Sequence, residues 1–595
     1  MTVSSSAISS SASSSWLRAL ELTAPIPRHP QRILPLAVEE WAQRYGAAPA
    51  LLSEQQVLTY RALAERANQY ARWAVQQGAV AGAVLALLMP NCPEYFAIWL
   101  GVTRVGGVVA LINTSLTGSA LAHSLDIVGA SHAIVAAEHL DALLPLLDGL
   151  RTRPRLWCHG PADTDLATAL AAVENTPPPA AGYGAPTIKE RALYIYTSGT
   201  SGLPKAVNVS HFRLMQWTHW FAGLMHTQAS DRLYNCLPMY HSIGGVVAIG
   251  APLVNGGGVV IRPGFSAREF WNDVVKWDCT LFQYIGELCR YLLATPGGEA
   301  EHRHRLRLCC GNGLRADTWV RFKERFAIPH ILEYYASTEG NFSLFNVEEK
   351  IGAIGRIPSL LRHRHAIALI RCNEETAEPL RDSQGLCIRC AVDEIGEAIG
   401  ELRPEAANAS TQFEGYTDPA ASNAKLLRDV FALGDRWYRT GDLMRRDAAG
   451  YFYFVDRLGD TFRWKGENVA TSQVAECIRG FEGTTDAVVY GVKVPGTEGR
   501  AGMAALETIG PIDLGALRQH LLAHLPIYAR PLFLRLLRHM PMTATHKPRK
   551  LDLVREGFDP TATEDPIYFD DPTAKAYVPV DVEFCRRVES GQVRF

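Results

Sequence analysis

The chain has 595 residues, of which 47% are hydrophobic and 20% charged, and a formal net charge of −2. That length exceeds what one hydrophobic core sustains, so two or more domains are expected. The near-neutral balance leaves no basic footprint for nucleic acid and no polybasic tail for anionic lipid.

The opening stretch, MTVSSSAISSSASSSW, lacks both a basic and an apolar segment and reads as a flexible Ser-rich tail over residues 1–30 rather than a signal peptide. Thr59 to Gln77 carries apolar residues at helical period (Leu63, Ala67, Tyr70, Ala74), with Thr59 as N-cap and Gly78 as C-cap. A strand within AVLALLMP, a helix from Pro93, a strand over 108–113, a helix near Leu121–Val128 and a strand over 132–137 follow in turn. Such alternation predicts an α/β fold, a mainly parallel sheet with helices on both faces. The apolar runs Ala79–Pro90 and Ile243–Val254 are each about twelve residues, short of the roughly twenty that cross a bilayer. The Ala-, Pro- and Thr-rich stretch Asp163–Pro186 reads as a surface connection, and LMRRDAAGYFYFVDR (443–457) as a hairpin turning at Asp447–Gly450. A compact α+β stretch after Arg457 places a domain boundary there, giving an N-terminal domain over 31–456 and a C-terminal domain over 457–595. Twelve cysteines are scattered. The CxxC pair Cys387 and Cys390 has no second pair and no nearby histidine, so it reads as reduced, inert thiols of a cytosolic protein rather than a zinc site.

The most informative string is YTSGTSGLPKAV, Tyr196–Val207, which follows an apolar strand. Backbone N–H groups and hydroxyls of Thr197, Ser198, Gly199, Thr200, Ser201 and Gly202 can cradle phosphate oxygens, and Lys205 can neutralise their charge. It is not a Walker A loop, because the glycine spacing differs and Lys205 precedes Ala206. The loop closely resembles the phosphate loop of the ANL adenylating superfamily of acyl-CoA synthetases, peptide-synthetase adenylation domains and luciferases.

The superfamily's other motifs follow in the required order. LPMYHSIGG (237–245) resembles the segment whose His gates the carboxylate pocket, here His241. CCGNGLR (309–315) resembles the adenine-binding turn, Gly311, Asn312 and Gly313. YYASTEGN (334–341) resembles the segment that places Tyr335 on adenine, Thr338 on the α-phosphate and Glu339 on Mg²⁺. A carboxylate beside a triphosphate needs a divalent ion to avoid repulsion. YRTGDL (438–443) supplies Asp442 for the ribose hydroxyls.

DRLGDTFRWKGENVATSQVAE (456–476) narrows the resemblance to the branch of fatty acid transport proteins and very-long-chain acyl-CoA synthetases, as do FEGYTDPAAS (413–422) and AYVPVDVEF (576–584). The resemblance spans roughly residues 35 to 590. It implies Arg457 as a ribose contact, Gly459 as a hinge, and Arg463 on the segment used in thioester formation. TATHKPRK (543–550) resembles the catalytic-lysine segment and assigns that role to Lys547, with Lys550 the competitor. The implied fold is a large N-terminal domain of α/β layered sheets with a small β subdomain, plus a small mobile α+β C-terminal domain.

The implied reaction is ATP- and Mg²⁺-dependent activation of a fatty or similarly apolar acid, and coenzyme A is the expected acceptor. A carrier-protein phosphopantetheine is the alternative acceptor, and uptake of fatty acid by metabolic trapping the alternative role. The expected location is cytoplasmic, with peripheral attachment to a membrane left open. His241–Gly250 and Tyr284–Leu293 are expected to line the acid pocket. Gly244, Gly245 and Gly250 leave two readings, room for substrate or close packing. Nothing in the sequence encodes the oligomeric state.

Overall fold

The computed structural model describes residues 12–593, apart from 161–164, 180–182, 199–202, 341, 362–365, 374–377, 404–412, 459–461, 465–466, 470, 496, 498, 526, 543–548 and 591. Contacts divide the chain into two compact units: Met1–Ala366 with Gly400–Leu427 and Arg436–Tyr438, and Ile367–Ile399 with Arg428–Asp435 and Arg439–Phe595.

The first unit contains two large sheets. One has six strands in the order Arg155–His159, His132–Ala136, Val84–Leu88, Val108–Leu111, Arg191–Ser198 and Pro204–Ser210. All its pairs are parallel except the last, a hairpin that pairs Thr197 with Lys205. The other has eight strands, with the parallel run Leu308–Asn312, Leu281–Ile285, Arg232–Asn235 and Gly258–Ile261 near its centre.

Local signals place the elements that build these layers. The Thr59 hydroxyl accepts from Ala62 N at 3.1 Å and starts the helix Tyr60–Gln77, and Gly78, at φ 76°, ends it in the left-handed region. That helix crosses Pro93–Arg104, which is buried on every side. A Cβ at Gly101 would fall 2.5 Å from Ala67 O and Tyr70 Cβ, so only glycine permits the crossing.

Two segments depart from the sequence reading. Residues 12–23 of the expected tail form the helix Ala12–Thr23, with Trp16 only 4% exposed. The Trp16 ring meets Trp220 and Phe345 at 5.9 and 5.8 Å, and Arg18 Nε donates to Gly223 O at 3.2 Å. Twelve residues are marginal as an isolated helix; docking on His211–Met225 supplies what serine-rich composition does not. Within the expected surface connection, Asp165–Ala171 is likewise helical and buries Leu166 and Leu170.

Besides the two large sheets the chain forms a small β layer, and the second unit carries an α+β layer. The small layer is ordered Ile367–Ile370, Ile395–Glu401, Arg436–Arg446 and Leu426–Arg428, with Phe452–Arg457 paired antiparallel to Arg436–Arg446. The hairpin between the last two turns at Asp447–Gly450, where Gly450 N donates to Asp447 O at 3.0 Å. The α+β layer is a five-stranded sheet, Thr484–Val492, Ala501–Thr508, Phe533–Leu537, Ile567–Asp571 and Ala576–Pro579. Its core includes Val474 and Ile478 from the helix Thr471–Arg479 and Leu517 and Leu521 from Leu514–His524.

Candidate active site

The hairpin Arg191–Ser198 and Pro204–Ser210 brings Thr197 and Lys205 to the two sides of the glycine loop; Gly199, Thr200, Ser201 and Gly202 lie outside the described residues. Beyond the hairpin, Ser210 caps the helix His211–Met225 by accepting from Arg213 N. The segment around Tyr416 extends the hairpin's edge, with Asn208 N donating to Gly415 O and Thr417 N to Ala206 O, both at 3.0 Å.

These elements converge on Glu339. Its Oε1 accepts from Thr197 Oγ1 at 3.1 Å and from the Tyr416 hydroxyl at 2.9 Å. The Lys205 ammonium stands 5.8 Å from the centre of the Tyr416 ring, within cation–π range. Burial first, and the neighbouring Glu339 charge second, drive the Tyr416 phenol far above its usual range, so it is a permanent proton donor here.

Arg213 fixes the backbone on the other side. Its guanidinium donates to Thr338 O at 2.6 Å and Glu339 O at 3.2 Å, and pairs with Glu414 at 3.4 Å. Glu414 in turn accepts from Ser210 Oγ at 2.6 Å and Ser210 N at 2.7 Å. Thr338 Oγ1 lies 3.2 Å from Ser242 Oγ, which connects the Thr338–Glu339 turn to the His241 segment. His241 stacks edge-on against Tyr240 at 4.6 Å, and its carbonyl accepts from Gly245 N at 2.7 Å.

The expected adenine turn ends the strand Leu308–Asn312. Gly313 has φ 81°, which a side chain disfavours, and a Cβ at Gly286 would fall 1.9 Å from Gly313 O. A Cβ at Gly311 would fall 2.3 Å from Tyr284 O, so that glycine serves the packing of neighbouring strands. Beneath the turn lies Glu333, which accepts from Leu314 N at 3.0 Å and from the Tyr284 hydroxyl. Burial pushes its carboxyl up to about 8, against the lowering effect of those bonds. Tyr335, two positions along the same strand, meets Phe342 at 5.5 Å.

The glycines of the segment expected to line the acid pocket serve close packing. A Cβ would meet Pro238 O at 2.4 Å from Gly244, Met239 O at 1.9 Å from Gly245 and Thr218 Oγ1 at 2.5 Å from Gly250.

In the second unit Asp442 and Arg457 are register partners, their side chains 3.6 Å apart. Arg463 lies on the short strand Phe462–Trp464, opposite Asn468. Gly459 and Lys547 fall outside the described residues. Lys550 opens the helix Lys550–Glu556 and donates to Thr471 Oγ1 at 3.3 Å, while Thr471 donates to buried Asp456 at 2.9 Å.

Arg213, Glu414, Tyr416 and Glu333 had no assigned role in the sequence. Tyr416 lies in a quoted string, but nothing tied it to a residue 77 positions away. A charged residue in the apolar helix FRLMQWTHWF was the one available signal for Arg213.

Glu339 and Thr197 together present hard oxygen donors, and two hydroxyls fix the carboxylate. That donor set fits Mg²⁺, which takes one or two protein oxygens and completes its shell with water and phosphate.

A family model for AMP-binding enzymes matches residues 38–385. The chain is 41% identical over 541 residues to the mouse long-chain fatty acid transport protein 1, covering 90% of this chain and 83% of that one. It is 42% identical over 523 residues to mouse long-chain fatty acid transport protein 3, covering 86% and 77%. Among solved structures it is similar to a benzoate CoA ligase from Burkholderia xenovorans LB400, with a TM-score of 0.72 at 19% identity over 88% of this chain and 100% of the other. ATP-bound MatB from Rhodopseudomonas palustris gives 0.72 at 21% identity over 87% and 98%. These structural likenesses establish the ANL α/β fold. The chain belongs to the AMP-binding enzyme family, in the branch of long-chain fatty acid transport proteins and very-long-chain acyl-CoA synthetases.

Proposed function

We propose that this enzyme activates a long- or very-long-chain fatty acid as its acyl adenylate and transfers the acyl group to free coenzyme A. The observation that carries the chemistry is the convergence of Thr197, Tyr416, Arg213 and Lys205 about Glu339 and its turn. The substrate class rests on the relatives named for long-chain fatty acids.

A carboxylate is a poor electrophile because oxide does not leave. When its oxygen attacks the α-phosphate of ATP, pyrophosphate departs and that oxygen becomes part of AMP, a good leaving group. Every reacting group is anionic, so the chain's task is positioning and neutralisation. Glu339 is the proposed Mg²⁺ ligand, and the bound ion would neutralise phosphate charge. The Tyr416 and Thr197 hydroxyls hold the Glu339 carboxylate in one orientation, and Arg213 holds its backbone. Lys205 and the Thr197–Gly202 loop are assigned to the departing pyrophosphate, and Thr338 to the α-phosphate. Tyr335 and the Gly311–Gly313 turn are assigned to adenine, and Asp442 and Arg457 to the ribose. Lys547 is assigned to the substrate carboxylate, Arg463 to the thioester step, and His241 to the mouth of the acid pocket.

Pyrophosphate release measured across acids of graded length, aromatic and polycyclic acids included, tests the substrate class. Maximal release with short or aromatic acids would refute it. Repeating the assay with coenzyme A and with carrier proteins separates the two acceptors.

The relatives' printed names favour one further role, uptake of fatty acid. Among the described residues no helix is long and apolar enough to cross a membrane. The enzyme is therefore proposed to act from the cytoplasm, attached peripherally, and to drive uptake by converting the acid to a charged thioester that cannot diffuse back. Uptake that survives in Lys547→Ala, where activation is lost, would instead support transport without catalysis.

A further inference from the structure

In the second unit, remote in sequence from every assigned site residue of the first, Cys477, His520 and His524 come together. One ligand atom from each lies within 4.8 Å of the others. We propose that these three residues form a site for a zinc-type divalent ion, a role separate from the Mg²⁺ of the reaction.

The placement is rigid. His520 and His524 stand four residues apart on the helix Leu514–His524, so both imidazoles project from one face. Their rings are 4.3 Å apart. Cys477 projects from Thr471–Arg479, and both helices are anchored in the same core through Val474, Ile478, Leu517 and Leu521.

The hydrogen bonds fix the tautomer of both rings. His524 Nδ1 lies 2.8 Å from His520 O, and His520 Nε2 lies 2.9 Å from Cys477 O. A carbonyl only accepts, so each of these nitrogens carries the proton. The opposite nitrogens, Nε2 of His524 and Nδ1 of His520, are left with lone pairs. A backbone carbonyl holding the second nitrogen is the usual support of a metal-bound histidine.

With bonds of about 2.0–2.3 Å, the ligands of a tetrahedral zinc ion are about 3.3–3.8 Å apart. The three atoms lie within 4.8 Å of one another, so binding an ion draws them together by about 1 Å. Two imidazoles and one thiol are borderline-soft donors, which select zinc over magnesium or calcium. On binding, the Cys477 S–H bond breaks, its proton goes to solvent, and sulfur donates the electron pair to the metal. Three protein ligands leave the fourth position to water, at the solvent-facing His524 edge. The bound ion braces Thr471–Arg479 against Leu514–His524.

The test uses the full-length, untagged protein with Co²⁺ as a spectroscopic probe and Zn²⁺ as competitor. The expected result is one equivalent of Co²⁺ showing a thiolate charge-transfer band and intense tetrahedral d–d bands, both abolished by one equivalent of Zn²⁺. Cys477→Ser should lose the charge-transfer band. His524→Ala, at an exposed position, should weaken Zn²⁺ binding by more than the roughly 10–100-fold that loss of a supporting partner costs. Circular dichroism of each variant confirms that it folds. Absence of a thiolate band in the wild type, or a band that persists in folded Cys477→Ser, overturns the site. So does unchanged Zn²⁺ affinity in folded His524→Ala.

Discussion

The motif residues of the two units are held in different ways. In the first unit, residues far apart in sequence meet at Glu339: Thr197 from the hairpin, Tyr416 from the appended edge, and Arg213 from the capped helix. In the second unit the described motif residues meet single partners rather than a shared centre: Arg457 its register partner Asp442, and Lys550 Thr471, 79 positions away. A convergent cluster on sheet ends is preorganised, because each side chain is fixed by an element with its own core. The Arg457 side chain, 57% exposed, can exchange its single partner for a ligand at small cost, since an ion pair open to solvent contributes only about 0–1 kcal/mol.

The largest effect that would break this comparison is at Lys547. Lys547→Ala should slow adenylation by about 10³-fold yet spare thioester formation from supplied acyl adenylate, a contrast read in separate half-reaction assays. Gly459→Pro, at the expected hinge, should do the reverse, and equal loss of both half-reactions in both variants would refute the assignment of Lys547 to adenylation and of the hinge to the thioester step. Next, Glu339→Gln should lower pyrophosphate release by about 10²–10³-fold and raise the Mg²⁺ concentration needed for half-maximal rate. Tyr416→Phe removes one hydroxyl from Glu339, a hydrogen bond to a charged group contributing about 1.5–3 kcal/mol. Loss of that orientation should lower kcat by about 10- to 100-fold, and the lost bond should also lower the melting temperature.

The smallest effect concerns stability at Glu333. Its folded carboxyl titrates at about 8, above the ordinary 4.5, so between those values the unfolded chain has released a proton that the native state keeps. Stability attributable to this group is thus fully present below pH 4.5 and declines as pH rises to about 8. Glu333→Gln should remove that slope, so its melting temperature should gain on the wild type between pH 5 and pH 8. Parallel melting profiles would show that burial of the carboxyl exerts no such effect.

The legible part of the fold was the part written in short-range signals. The helix Tyr60–Gln77 announced both caps, and the apolar runs before Pro93 and after Gly107 each became parallel strands. The helix Ala12–Thr23 was hidden, because a few apolar residues among serines acquire meaning only against Trp220 and Phe345. The glycines near His241 carried two readings, and only the positions of Pro238, Met239 and Thr218 decided for packing.

By itself the sequence determined the chemistry class and the branch, because phosphate-binding loops and the WKGENV string depend on residue identity at fixed short spacing. Tertiary structure alone decided that Tyr416 and Arg213 hold Glu339, that Glu333 lies buried beneath the Gly311–Gly313 turn, and that Cys477 meets two histidines. Each of those facts joins elements distant in the chain, and their meeting depends on sheet order and helix packing, which no local pattern encodes.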